Sequence, residues 1–360
     1  MPPAPPAAPH AIALAGNVVY ALPLAGGGAL LVDAGPDCEG SWEAAVAQLA
    51  AAGFAPPDVR VVLVTHAHLD HAGLAGRWAA AGARIRCGAA DRAAIVAGAR
   101  HGEAARAARL EALRRHGYRD APDGTTLSST LPSRLSSRSW AAGPRPRLRW
   151  EGAPAQAVEA VADGERFALA DGDTLRVVAA PGHTPGNLVA ITERTRDLYS
   201  GDTLLPGTIP TPGLHFPRTM DAGPGDEGAR WPSLPPFLAS AQRLRALAPR
   251  RVLPGHGAVV ADPPALLDRF EAHYERRLRR VRALLAGGPA SAYALVARLF
   301  PRLPRARVAQ AMTEAIGLLD VLAALGEGAW VEGEGGTLAF RLGGGGGTLA
   351  FRLGGAGGER

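Results

Sequence analysis

The chain has 360 residues, 47% of them hydrophobic and 20% charged, which excludes a disordered polymer and leaves material for a sizeable core in one or two domains. All 39 basic residues are arginine, the net charge is +6 and the isoelectric point is near 10. A polyanionic partner is therefore weighed against a GC-rich genome, which favours Arg, Ala, Gly and Pro and leaves two asparagines, Asn17 and Asn187.

Cys38 and Cys87 lie outside any C-x-x-C pattern and cannot build a disulfide framework, so they read as small buried side chains in a reducing compartment. The proline-rich start, Met1 to His10, has no Arg ahead of an apolar stretch, and no run of ~18 apolar residues offers a membrane span. The expectation is a cytoplasmic protein with no membrane partner.

Between Asn17 and about Val260, short β-leaning runs alternate with alanine-rich helical stretches. Predicted strands at Ala29–Val32 and Val59–Val64 lead into Asp33-Ala34-Gly35 and Thr65-His66. Later strands at Leu175–Val178, Asp197–Tyr199 and Arg251–Leu253 lead into Pro181-Gly182-His183, Ser200-Gly201-Asp202 and Pro254-Gly255-His256. Helices are predicted at Ser41–Ala52, Gly73–Ala81, Ala104–Arg115 and Phe237–Leu247, and the alternation indicates an α/β sandwich. Two stretches interrupt it. Gly124–Trp150 lacks Asp and Glu, carries Arg134, Arg138, Arg145, Arg147 and Arg149, and reads as a loop or lid within an insertion of about 101–156. Pro206–Pro236 reads as an ordered excursion in which Leu214, Phe216 and Trp231 pack.

After Asp262-Pro263-Pro264, the residues Leu267, Phe270, Tyr274, Leu278, Val281 and Leu285 form one apolar face of a long helix, ended by Gly287-Gly288-Pro289. Helices at Ala290–Leu299 and around Val308–Leu322 follow, then Trp330-Val331 and a strand at Thr337–Leu342. This predicts a catalytic portion 1–262, a winged-helix-like portion 263–342 and a disordered tail 343–360. The octet GGTLAFRL occurs at Gly335–Leu342 and again at Gly346–Leu353, and one copy suffices for a wing strand.

The segment Thr65–Gly73 reads THAHLDHAG. Residues two apart in an extended chain face the same way, so His66 and His68 can grip one metal, while Asp70 and His71 can face a second ion as the chain turns into a helix. His183, Asp202 and His256 each follow a predicted strand directly, beside glycines that permit sharp turns. Five of ten histidines thus fall on one edge of the expected sandwich. His10, His101, His116, His215 and His273 have no such placement.

These motifs resemble those of the metallo-β-lactamase-fold hydrolases, an αββα sandwich with a two-metal site. The likeness covers about Asn17–Val260 and includes the family's Asp after an early strand, here Asp33. It implies that His66, His68 and His183 hold one Zn²⁺, that Asp70, His71 and His256 hold the other, and that Asp202 bridges them; iron or manganese also suit such donors. The appended helices resemble the C-terminal piece of β-lactamase-like proteins related to glyoxalase II.

The resemblance implies a hydrolase in which a hydroxide between two ions ~3.5–4 Å apart attacks the substrate, with Asp70 orienting it and shuttling its proton. The expected substrate is a small-molecule thioester or related acyl compound. A metal-dependent ribonuclease or other phosphodiesterase is the alternative, with the arginine clusters Arg134–Arg149 and Arg276–Arg282 as its support. Diiron oxygen-reducing relatives place a Glu at the position of His68. A single-iron persulfide dioxygenase is disfavoured by the complete second donor set with His71 and His256. Asp33 is expected to support the metal loops, and His215 is the candidate substrate contact, with a packing role as its competitor. In Glu275–Arg282, most of the five arginines read as a solvated helix face.

Overall fold

A computed structural model describes residues 9–119, 148–210, 212–216 and 230–343. The first of its two larger sheets runs in the order β1 (His10–Leu14), β2 (Asn17–Pro23), β3 (Ala29–Val32), β4 (Val59–Leu63), β5 (Arg84–Cys87), β6 (Val158–Ala160). It is antiparallel as far as β3 and parallel from β3 to β6. The second comprises β7 (Arg166–Ala168), β8 (Thr174–Ala179), β9 (Leu188–Thr192), β10 (Asp197–Gly201) and β11 (Arg251–Pro254), in the order β11-β10-β9-β8-β7. Only β10 and β11 pair in parallel.

Side chains of successive strand residues point to opposite faces, and this builds three apolar layers. Tyr20, Leu22, Leu30, Val32 and Leu63 of the first sheet meet Leu175, Val177, Leu188, Ala190, Tyr199 and Leu253 of the second. The alternate residues Val19, Ala21, Leu31 and Val62 pack outward against α1 (Ser41–Ala51), α3 (Ala75–Ala80) and α4 (Arg92–Ala97) through Leu49, Trp78 and Ile95. On the far side, Val178, Val189, Ile191, Leu198 and Val252 pack against α6 (Leu234–Ala246). Strand β9, apolar on both faces, is buried at all five positions. Each such Val, Leu or Ile contributes roughly 1.5–3 kcal/mol. This is the αββα arrangement.

The predicted helix at Gly73–Ala81 is instead two pieces, α2 (Leu69–Ala72) and α3. At Gly73 the chain passes so close to the Asp33–Asp37 loop that a Cβ would stand 2.6 Å from the Asp37 nitrogen and 3.2 Å from the Gly35 oxygen. The helix predicted at Ala104 begins at Ala99, as α5 (Ala99–Arg115), directly after α4, which the sequence pattern did not suggest. The expected insertion from about 101 therefore opens with helix, anchored by Ala112 and Leu113. Most of the Gly124–Trp150 loop, including Arg134, Arg138, Arg145 and Arg147, lies outside the described residues, as does the second copy of the octet. In the Pro206–Pro236 excursion, Leu214 and Phe216 are buried as expected, and Trp231 is half-buried.

Helix α7 (Pro263–Leu285) buries the predicted stripe and starts earlier than the stripe does, because Asp262 caps it by accepting from the Ala265 N–H at 3.0 Å. It shares an apolar cluster with α8 (Ala292–Leu299), α9 (Val308–Ala324), α6 and the outer face of the second sheet. A three-stranded antiparallel sheet, β12 (Ala290–Ser291), β14 (Leu338–Leu342) and β13 (Gly328–Glu332) in that order, completes this region. Arg230 grips both oxygens of Asp320, and Arg245 reaches Glu271 at 3.0 Å. Among the clustered arginines, Arg276, Arg279 and Arg280 are exposed, while Arg277 pairs with Glu314 at 2.9 Å and Arg282 with Glu327 at 2.6 Å. Among the described residues no helix is long and apolar enough to cross a membrane.

Candidate metal centre

The seven donor residues picked out by their positions after strands converge. Strand β4 delivers Thr65 and His66, and the turn into α2 delivers His68, Asp70 and His71. The ends of β8, β10 and β11 deliver His183, Asp202 and His256. The His66 Nε2 and His68 Nδ1 atoms are 2.9 Å apart, and His183 Nε2 lies 3.0 Å from the same His68 nitrogen. On the other side, His256 Nε2 is 3.3 Å and His71 Nε2 4.0 Å from Asp70 Oδ2. Asp202 reaches both groups with different oxygens. Its Oδ1 lies 3.4 Å from His71 Nε2 and 3.5 Å from His256 Nε2, while its Oδ2 lies 3.7 Å from His183 Nε2.

Two ligands bonded at ~2.0–2.1 Å to a tetrahedral ion stand about 3.3 Å apart, so this spacing and the imidazole–carboxylate donor set fit a pair of divalent ions. Asp33 is held at the end of β3 in the left-handed region, with φ 69°. Its Oδ1 accepts from the Thr65 N–H at 2.7 Å and its Oδ2 from His71 Nδ1 at 2.8 Å, leaving His71 Nε2 to face the centre. His256 is fixed in the same way by donating from Nδ1 to the Gly16 carbonyl at 2.8 Å. At Gly255 the backbone passes so near the His71 ring that a Cβ would stand 2.5 Å from Cε1.

Burial and the surrounding imidazoles push the His66 pKa well below its ordinary value. Burial also opposes a charge on His71 and His256, but the neighbouring carboxylates outweigh it and raise both, Asp33 foremost for His71 and Asp202 for His256. Burial alone would raise Asp202, yet the imidazoles of His71, His256 and His183 hold it below the usual carboxylate range. Positive charge is thus favoured beside His71 and His256, where a divalent ion would take the place of those protons, and opposed at His66.

His215 stands at the edge of this group. Its Nε2 donates to the His183 carbonyl at 2.7 Å, and its ring stacks on His68 with centroids 6.3 Å apart. Both residues also line a cavity of about 390 Å³.

Three further residues hold the site and were missed in the sequence. Asp91 follows β5 and is 3% exposed. It accepts from the Ala67 N–H at 2.8 Å, the Thr184 hydroxyl at 2.6 Å and the Gly186 N–H at 2.8 Å, joining the His66–His68 loop to the His183 loop. An acidic residue directly after a strand was its signal. Asn17 directs its amide nitrogen at His71 Nε2 (3.3 Å) and His256 Nε2 (3.5 Å). Asn187 ties the Ala180 carbonyl to Thr203, beside Asp202, at 3.0 and 2.8 Å. Their signal was scarcity, since a composition that strips out asparagine leaves these two.

Residues 12–256 match the sequence profile of the Metallo-beta-lactamase superfamily. The chain belongs to that superfamily. It is a metallo-β-lactamase-fold hydrolase and is 27% identical to the probable metallo-hydrolase YqjP of Bacillus subtilis (strain 168), over 92% of this chain and 95% of that protein. The crystal structure of the metallo-beta-lactamase family protein TTHA1429 of Thermus thermophilus superposes with a TM-score of 0.68 at 26% identity, over 93% of this chain and 98% of that one. A shorter match, 25% identical over 42% of this chain, is to the atrochrysone carboxyl ACP thioesterase of Aspergillus fumigatus, of which it spans 45%.

Proposed function

We propose that this chain is a two-metal hydrolase of acyl substrates, with a thioester as the first candidate, in which His66, His68 and His183 hold one ion, Asp70, His71 and His256 the other, and Asp202 both. The observation that carries this reading is Asp202, whose two oxygens face separate donor groups at ligand spacing. Zinc suits the imidazole-rich set, and ions bound there would polarise the acyl oxygen and supply hydroxide at neutral pH. Asp70, with Oδ2 beside His256, has a second oxygen to orient the attacking water and take its proton. The net reaction adds water: oxygen joins the acyl carbon, the carbon–sulfur bond breaks and the proton passes to the thiolate. Both cysteines are buried, so no thiol nucleophile is required or offered. The thioesterase among the relatives supports the acyl reading.

A phosphodiesterase is the second reading, supported by the exposed Arg276, Arg279 and Arg280. We also read 263–342 as a winged-helix-like unit, on the strength of its helices and three-stranded sheet. The test is to saturate the protein with zinc, count metals per chain, and assay a thioester, a lactone, a phosphodiester and single-stranded RNA. Two metals and thioester turnover indifferent to salt are expected. Fewer than two metals would defeat the two-metal assignment, and RNA cleavage falling steeply with salt would favour the nuclease.

A further inference from the structure

The cavity of about 390 Å³ opens beside His68 and His215, against the donor group His66–His68–His183. Ala67, Leu69, Ala94, Trp150, Leu214 and Phe216 give it apolar lining, and Asp91, His101 and Glu103 add polar groups. Helix α5 contributes a broad face to the lining, where the helical repeat brings Gly102, Ala105, Arg106 and Arg109 together. Arg106 is exposed, and Arg109 directs its guanidinium to the Thr313 hydroxyl on α9 at 3.3 Å. Gly102 adds no side chain at all, and a Cβ built there meets nothing within 4 Å.

We infer that this chamber receives the acyl group of the substrate and that the enzyme selects an apolar acyl group of roughly eight to twelve carbons over acetyl. The inference rests on the acyl-hydrolase reading of the metal centre. At about 30 Å³ per water in the liquid, the chamber has room for about a dozen molecules, or for an acyl group with a similar number of heavy atoms. Transfer of each methylene from water into such a space is worth about a fourfold gain, so burying even half of the eight methylenes that separate decanoyl from acetyl gives roughly two-hundredfold. A small polar acyl group would leave most of the apolar wall unfilled.

The test compares kcat/KM of the zinc-loaded protein on acetyl, hexanoyl, decanoyl and hexadecanoyl thioesters of one small thiol. The expected profile rises at least a hundredfold from acetyl to decanoyl and falls beyond it. In Gly102→Phe, at a lining position where a Cβ meets nothing within 4 Å, the decanoyl-to-acetyl ratio should drop at least tenfold. A second arm titrates decanoate and butanoate against the same two proteins by calorimetry. Decanoate should bind wild type at least tenfold more tightly than butanoate, and Gly102→Phe should remove that preference. If no thioester is turned over while decanoate binds and Gly102→Phe releases it, the acyl-hydrolase reading fails and the chamber assignment stands. A flat or inverted chain-length profile, or equal binding of the two acids, overturns the inference itself.

Discussion

Asp70, His71 and His256 form the half of the donor cluster whose imidazoles are fixed from behind, His71 by Asp33 and His256 by the Gly16 carbonyl, with the Asn17 amide against both. In the half formed by His66, His68 and His183, the Thr65 hydroxyl meets His66 Nδ1 at 3.0 Å, Asp91 joins the loops, and the group borders the cavity. The first half is built for fixed geometry, since its rings have nowhere to turn. The second combines a braced backbone with the half-buried His68, which places its donors where a substrate can arrive. Rigidity and access have been divided between the two sides of one centre.

The most severe break of this division is Asp202→Ala, which removes the residue common to both halves. It should bring zinc below two per chain and reduce kcat by at least a thousandfold, checked by metal analysis beside steady-state assay. Asp33→Asn and Asp91→Asn act one half at a time, because in each an amide NH₂ replaces one accepting oxygen and meets a donor. Each should weaken metal binding 10–100-fold, but for one ion only, resolved as two steps in a cobalt titration followed by its visible spectrum. Loss of the same step in both variants would remove the distinction between the halves.

A third contrast lies away from the centre. His116 is buried under Trp330 with ring centroids 4.6 Å apart, and burial, helped by Arg230 and Arg115, pushes its pKa down to about 3. Below pH ~6.5 the unfolded chain takes up a proton that the folded chain refuses. Stability should therefore fall by about 1.4 kcal/mol per pH unit as pH drops from 6.5 toward 3, and His116→Phe should flatten that slope in urea melts. The smallest effect is expected at Arg277, a half-buried partner of Glu314 that also lies over the Phe300 ring at 4.5 Å. Arg277→Ala should cost about 0.5–1.5 kcal/mol and leave metal binding unchanged.

The donors were legible in the sequence because metal chemistry uses few residue types and the fold presents them directly after strands. His66, His68, Asp70, His71, His183, Asp202 and His256 could be read from type and position together. Asp91 could not, because its partners are mostly backbone N–H groups, and nothing in a side-chain pattern shows where those point. Asn17 and Asn187 stood out only by scarcity, which does not name their partners, two imidazoles for Asn17 and a carbonyl and a hydroxyl for Asn187. The α7 stripe showed which face is buried, and only the fold showed that α6 and the second sheet take part in covering it. The break at Gly73 depends on a loop forty residues earlier in the chain passing close by, which local periodicity does not register.

The position of Asp202 also bears on how the centre fills. A carboxylate that offers one oxygen to each donor group would couple the filling of one half to that of the other. An ion in one half would orient Asp202 and remove part of the entropic cost of ordering it for the other half. The affinity of each half would then depend on whether the other is filled, so the two steps of a metal titration should lie closer together than two independent sites would place them.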